Sequence, residues 1–310
     1  MQGACLANVA GMLMTMPERP YAVELRSPVR YGMVPGLPVW QGALYLDLLM
    51  PTPKPVRRAP AVVYLHGGGW RDGDRSHGLY PWHSPHLAVH GFVVANVSYR
   101  MSGQAPFPAQ IHDVKAAIRW LRANASDYGI DPDRIGVWGD SAGGQLAALA
   151  ATTAERADLE GECGSPGWSS AVQAAVVRCA PSNFLTLPQE DWQDEVLDAL
   201  FGGPSTKTAE LRRLASPEAH VRTGVPPFQV VHGTEDETVP FDQAEAMVRA
   251  LRAHDGEVEF HVMEGVHHNL RTDVDLPWGS EPWTEARGCR HEPNFAKPGF
   301  TDGRGGVSVA

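Results

Sequence analysis

Arg134-Ile135-Gly136-Val137-Trp138-Gly139-Asp140-Ser141-Ala142-Gly143-Gly144 decides the fold. Ile135–Trp138 reads as a short strand, and Gln145–Thr153 continues as an Ala/Leu helix. A G-x-S-x-G sequence between a strand and a helix is a nucleophile elbow. The requirement is steric. The turn holds its serine in a strained backbone conformation, so the positions two before and two after must be small. The following helix adds backbone N–H groups and the positive end of its dipole. Taken alone, the same residues also describe a plain glycine-rich turn with an exposed serine; the flanking elements favour the elbow.

Outward from that point, strands and helices alternate. Ala61–Leu65 and Phe92–Val97 are short apolar runs. Ile111, Val114, Ile118, Leu121 and Ala125 follow helical spacing, closed by Gly129 and Asp131-Pro132. Val172–Val177, Phe228–Val231 and Val258–Val262 read as strands, with a helix marked by Phe241, Ala244, Val248 and Leu251. This pattern predicts an α/β fold with a mainly parallel central sheet covered by helices on both faces. Val23–Leu49 reads as further β-structure. Residues 184–223 break the alternation and read as a small helical lid insertion. The expected organisation is an extension over 1–22, a catalytic domain over 23–278 and an irregular tail over 279–310.

His66-Gly67-Gly68-Gly69-Trp70 directly follows the strand Ala61–Leu65. Glycines let the backbone approach a ligand closely, and their N–H groups, with that of Ala142, can face a developing oxyanion. An anion-binding or merely flexible loop is the alternative, but a phosphate loop would require a Lys that is not here. A serine needs a base to take its proton. Gly265-Val266-His267-His268 follows the last apolar strand and offers two histidines. His232-Gly233-Thr234-Glu235-Asp236-Glu237 follows the strand before it and offers three acids. All of these loops lie past the carboxyl ends of strands, where open parallel sheets place ligands.

HGGGW at 66–70, GDSAGG at 139–144, HGTED with VP at 232–240 and GVHHN at 265–269 together resemble the esterase/lipase branch of the α/β-hydrolases. The likeness covers roughly Leu44–Leu270 and also takes in Ser98-Tyr99-Arg100. It is nearest to the hormone-sensitive-lipase-like and bacterial feruloyl-esterase-like carboxylesterases. It implies Ser141 as nucleophile, His268 rather than His267 as base, and Asp236 rather than Glu235 or Glu237 as acid. It places the oxyanion donors on Gly68, Gly69 and Ala142. Only a strand-like segment precedes HGGGW, which favours the feruloyl-esterase-like branch. The expected activity is that of a serine carboxylesterase acting on short-chain acyl or small aryl esters, of feruloyl or acetyl type, through an acyl-enzyme. The rival readings are another acyl hydrolase, such as an arylformamidase or a peptidase, and a non-catalytic binding protein on this fold.

Composition narrows the partners. Lys+Arg number 26 and Asp+Glu 36, a net charge of −10, which argues against nucleic acid. No apolar run approaches a membrane span. The expected partner is a small-molecule ester; self-association into a homo-oligomer is left open, and no cofactor is required. Gly3–Met16 is uncharged with no Lys or Arg before it, which reads as cytoplasmic and leaves secretion open; Met12, Met14 and Met16 are alternative starts. His83, His86 and His90 have helical spacing, but no carboxylate pattern accompanies them, and no metal is expected. Cys163 and Cys179 would bridge only in an oxidising compartment. Arg100 and Asp113 read as a structural ion pair, His66 as a brace for the glycine loop, and Asp140 as structural. Trp70, Phe184, Trp192 and Phe201 are candidates for an acyl or aryl pocket, with helix core as the alternative.

Overall fold

Short β-branched and alanine-rich runs make the centre of the sheet because only such strands can be buried on both faces. The computed structural model describes residues 21–76, 83–154, 156–188, 191–204, 209–268, 270 and 289–291. The strands are β1 (Ala22–Met33), β2 (Ala43–Thr52), β3 (Ala59–Leu65), β4 (Val93–Val97), β5 (Ile130–Asp140), β6 (Ala174–Arg178), β7 (Phe228–Gly233), β8 (Val258–Met263) and β9 (Cys289–His291). They form one sheet in the order β1-β2-β4-β3-β5-β6-β7-β8-β9. From β4 to β8 every neighbouring pair is parallel. β1 and β2 add an antiparallel edge on one side, and β9 adds one on the other.

The helices are α1 (Val39–Gly42), α2 (His83–Val89), α3 (Ala109–Ala123), α4 (Ala125–Tyr128), α5 (Ala142–Thr152), α6 (Asp191–Phe201), α7 (Ala209–Ala215) and α8 (Asp242–Ala253). Alternate residues of a strand face opposite sides of the sheet, and the cores follow that rule. Val63 and Val137 belong to the main core with Ile111, Val114, Ile118 and Leu121 of α3, Leu146 and Leu149 of α5, and Met247, Val248 and Leu251 of α8. Their neighbours Tyr64 and Trp138 join Leu87 and Ala88 of α2 in a second core on the other face. Arg100 binds Asp113 through two guanidinium hydrogen bonds of 2.7 and 2.8 Å and a backbone N–H at 2.9 Å, and ties the segment after β4 to α3.

The chain order creates the site. From β3 the chain steps outward to β4, then returns across β3 to β5. The loops after β3 and β5 therefore diverge at the same end of adjacent strands, a topological switch point. Leu65 of β3 pairs with Gly139 of β5, so the glycine loop and the serine turn leave the sheet side by side. Between β6 and β7 the chain carries α6, α7 and a 3-10 turn at Pro217–His220, all within the interval that breaks the sequence alternation.

β9 corrects one expectation. It lies inside the segment read as irregular beyond residue 278, yet it pairs Cys289–His291 with His261–Met263. Three residues carry no period, so nothing in the sequence marks them as a strand. The rest of that tail and residues 1–20 of the extension lie outside the described residues. Among the described residues, no helix is long and apolar enough to cross a membrane. Cys163 and Cys179 are buried free thiols.

Candidate active site

Ser141 sits at φ 54 and ψ −120, a backbone region that side chains avoid. The turn is held by Ser141 N–H donating to Arg178 O at 2.8 Å and Gln145 N–H donating to Ser141 O at 3.0 Å. The glycines are sterically required. A Cβ at Gly139 would lie 2.1 Å from Gly143 O, and one at Gly143 would lie 2.2 Å from Leu65 O. These are the positions two before and two after the serine.

The glycine loop closes against this turn. A Cβ at Gly67 would be 3.4 Å from Ser141 Cβ. Gly68 has φ +113 and Gly69 φ +59, and a Cβ at Gly68 would strike Asp72 O at 2.1 Å. Gly68 O accepts from the N–H groups of Arg71 and Asp72, while the N–H groups of Gly68 and Gly69 find no backbone acceptor among the described residues. Ala142 opens α5, where a helix leaves its first N–H groups without internal partners. His66 braces the loop: its ring stacks on Tyr99 at 4.5 Å, and Tyr99 Oη donates to His66 O at 2.8 Å. Val196 of α6 covers the loop, with its Cγ1 3.6 Å from the Cβ position at Gly69.

Across from the loop, the turns after β7 and β8 deliver the acids and histidines. His268 Nε2 lies 3.0 Å from Ser141 Oγ. His268 Nδ1 lies 2.8 Å from Asp236 Oδ2 and 3.0 Å from Oδ1. These contacts fix the tautomer. Nδ1 carries the hydrogen toward the carboxylate, and Nε2 accepts from the serine hydroxyl. His267, by contrast, is turned to Glu235, 3.0 Å from its carbonyl oxygen and 3.7 Å from its carboxylate.

Asp236 is enclosed by donors. Oδ1 accepts from the N–H groups of Thr238 and Val239 at 2.9 and 2.8 Å. Oδ2 also lies 3.1 Å from His232 Nε2. Burial works against the charge, but hydrogen bonds from His232, His268 and Val239 outweigh it and hold the carboxyl well below the usual carboxylate range. Asp140, beside the serine, behaves oppositely. Its burial raises it, and Arg178 and the Tyr64 hydroxyl only partly offset that. Tyr64 Oη donates to Asp140 Oδ2 at 2.8 Å, and Arg178 Nε lies 3.3 Å from Oδ1.

Of the four aromatic candidates, three have described side chains. Trp70, Phe184 and Phe201 are buried in the main core. Trp70 and Phe184 lie 5.5 Å apart, and Phe184 meets Phe201 edge-on at 5.4 Å. Trp70 Nε1 donates to Gln145 Oε1 at 3.0 Å, and Gln145 Nε2 donates to Ala215 O at 2.7 Å. These contacts join the glycine loop, α5, α6 and α7. Apolar spacing describes a core stripe and a pocket wall equally well, and here packing took the core. The side chain of Trp192 lies outside the described residues.

His83, one of the three spaced histidines, accepts from Arg178 Nη1 at 3.0 Å. Burial and Arg178 pull it down to about 3, so it acts as a neutral acceptor. Two neighbours of the site escaped the sequence reading: His232, visible only as the first letter of its motif and found 3.1 Å from Asp236 Oδ2, and Val196, which carried no signal and packs over Gly69.

The sheet order, the strained serine and the Ser141–His268–Asp236 relay define an α/β-hydrolase. The BD-FAE family model matches residues 46–251, so the chain belongs to that family. Esterase LipQ of Mycobacterium tuberculosis is 33% identical over 263 residues, covering 81% of this chain and 58% of LipQ. The chain thus spans little more than half of that relative. Among solved structures, a truncated carbohydrate esterase from gut microbiota is 26% identical with a TM-score of 0.70, covering 82% of this chain and 91% of its own. An esterase of Thermogutta terrifontis is 30% identical with a TM-score of 0.63, covering 84% and 87%.

Proposed function

We propose that the protein is a serine carboxylesterase that hydrolyses short-chain acyl or small aryl esters through an acyl-enzyme. The observation that carries this reading is the unbroken relay from Ser141 Oγ through His268 to Asp236, with links of 3.0 and 2.8 Å. Ser141 Oγ bonds to the ester carbonyl carbon as its proton passes to His268 Nε2. The carbonyl electron pair moves onto oxygen, which accepts from the N–H groups of Gly68, Gly69 and Ala142. Each such donor contributes roughly 3 kcal/mol of transition-state stabilisation. Asp236 keeps the imidazole oriented and stabilises its protonated form. The intermediate collapses, the C–O bond to the alcohol breaks, and His268 returns the proton to the departing oxygen. Water then repeats the sequence and releases the acid from Ser141.

Substrate size follows from the insertion. α6 approaches the oxyanion loop through Val196 and through Arg71, 3.6 Å from Glu195. A wall this close favours small acyl groups. The similarity to a mycobacterial esterase and a carbohydrate esterase supports an ester substrate. The test is a panel of nitrophenyl esters of rising chain length, methyl ferulate and an amide of matched shape. Turnover is expected to peak on short or small aryl esters. A peak on emulsified long-chain lipid, or faster amide than ester cleavage, overturns the reading.

A further inference from the structure

Asp236 has two histidines on it, and the relay described above uses one. We infer that His232 is a positioning residue: an imidazole whose Nε2–H holds Asp236 in the orientation that His268 requires. This rests on the serine-hydrolase reading of the site and deepens it.

The tautomer follows from the neighbours. His232 Nε2 lies 2.9 Å from Val239 O and 3.1 Å from Asp236 Oδ2. Both neighbours are acceptors, so Nε2 carries a hydrogen shared between them. Nδ1 is buried and has no hydrogen-bond partner among the described residues. The hydrogen that reaches a partner is therefore the one on Nε2. Phe241 packs edge-on against the imidazole at 5.9 Å and fixes its plane. The residue is fully enclosed, so water does not substitute for the N–H.

The contact reaches the chemistry through one atom. Oδ2, 3.1 Å from His232 Nε2, is also the oxygen nearest His268 Nδ1. Oδ1 is already pinned by the N–H groups of Thr238 and Val239. The backbone therefore fixes one end of the carboxylate and His232 fixes the other. Without the second point, the carboxylate can rotate about its Oδ1 contacts and loosen its hold on the imidazole. The other titratable groups nearby are Asp140 and Arg178 at the ends of β5 and β6, the buried Cys179 thiol, and the surface pair Glu235–His267. A change at position 232 leaves all of them in place.

The test compares two substitutions of similar length. His232→Gln offers an N–H near the position of Nε2; His232→Met fills the space without a donor. A hydrogen bond to a charged group converts to a rate effect of roughly ten- to a hundredfold. His232→Met is expected to lose that much kcat with KM nearly unchanged, while His232→Gln recovers most of it. The second readout needs no substrate: the downfield proton resonance of His268 Nδ1–H, expected to persist in the Gln variant and broaden away in the Met variant. Equal kcat and equal resonances in the two folded variants overturn the inference. A wild-type protein inactive on every ester, yet showing the Gln–Met difference in the resonance, refutes the esterase reading and upholds the role of His232.

Discussion

Replacing Asp236 by Asn changes one atom and removes the relay's charge, and the structure says which way the amide will sit. Thr238 and Val239 N–H groups both point at Oδ1, at 2.9 and 2.8 Å. They require an acceptor, so the amide oxygen takes that place. The amide NH2 then occupies the Oδ2 position, 2.8 Å from His268 Nδ1 and 3.1 Å from His232 Nε2. Two N–H groups cannot face each other at that distance. His268 is driven to the tautomer with its hydrogen on Nε2, which faces Ser141 Oγ at 3.0 Å and cannot take the serine proton. A wrong-tautomer triad loses about 10⁴ in kcat, or roughly 5.5 kcal/mol of transition-state stabilisation. The assay is kcat and KM on nitrophenyl acetate beside a thermal melt, with Glu235→Gln and Glu237→Gln in parallel. Those two are expected to stay within a few fold of wild type. A folded Asp236→Asn variant within tenfold of wild type, or an equal loss in either Glu variant, refutes the reasoning.

The adjacent histidines should separate cleanly: His268→Ala loses several orders of magnitude in kcat, while His267→Ala, whose ring faces Glu235, loses little, as initial rates will show. Ser141→Gly should melt a few degrees above Ser141→Ala, because glycine relieves the positive-φ strain, of order 1 kcal/mol, that alanine keeps; equal melting points would contradict stored strain at the elbow. Gly68→Ala should lower both melting temperature and kcat, since its Cβ strikes Asp72 O at 2.1 Å; wild-type values in both would contradict the packing of the loop. Asp236 is held below the ordinary carboxylate range when folded, so its contribution is present above that range and fades as pH falls through it. The melting-temperature gap between wild type and Asp236→Asn should therefore narrow from pH 6 to pH 3.

Much of this site was legible because its constraints are local. The glycines around Ser141 are dictated by a turn of five residues, and the clashes a Cβ would make at Gly139 and Gly143 are those the motif anticipates. Strand and helix alternation was legible for the same reason, as Ile111, Val114, Ile118 and Leu121 show by being fully buried on one face of α3. What was not legible depends on distant packing. Phe184 and Phe201 read as pocket candidates with core as the alternative, and only the fold reveals that they meet edge-on within the main core. His232 lies four residues from Asp236 in sequence, but its role needs the bend after β7 that folds both side chains together. β9 pairs across the sheet edge with no pattern of its own.

The central claim is that Ser141 carries the acyl group. Mixing the protein with nitrophenyl acetate, quenching with acid in the first turnover and mapping the added acetyl by peptide mass spectrometry tests it directly. The account predicts one acetyl group on the peptide containing Ser141 in wild type and none in Ser141→Ala, which also ceases to release nitrophenol. Sustained nitrophenol release by Ser141→Ala, or an acetyl group on another residue with Ser141 unmodified, would contradict it.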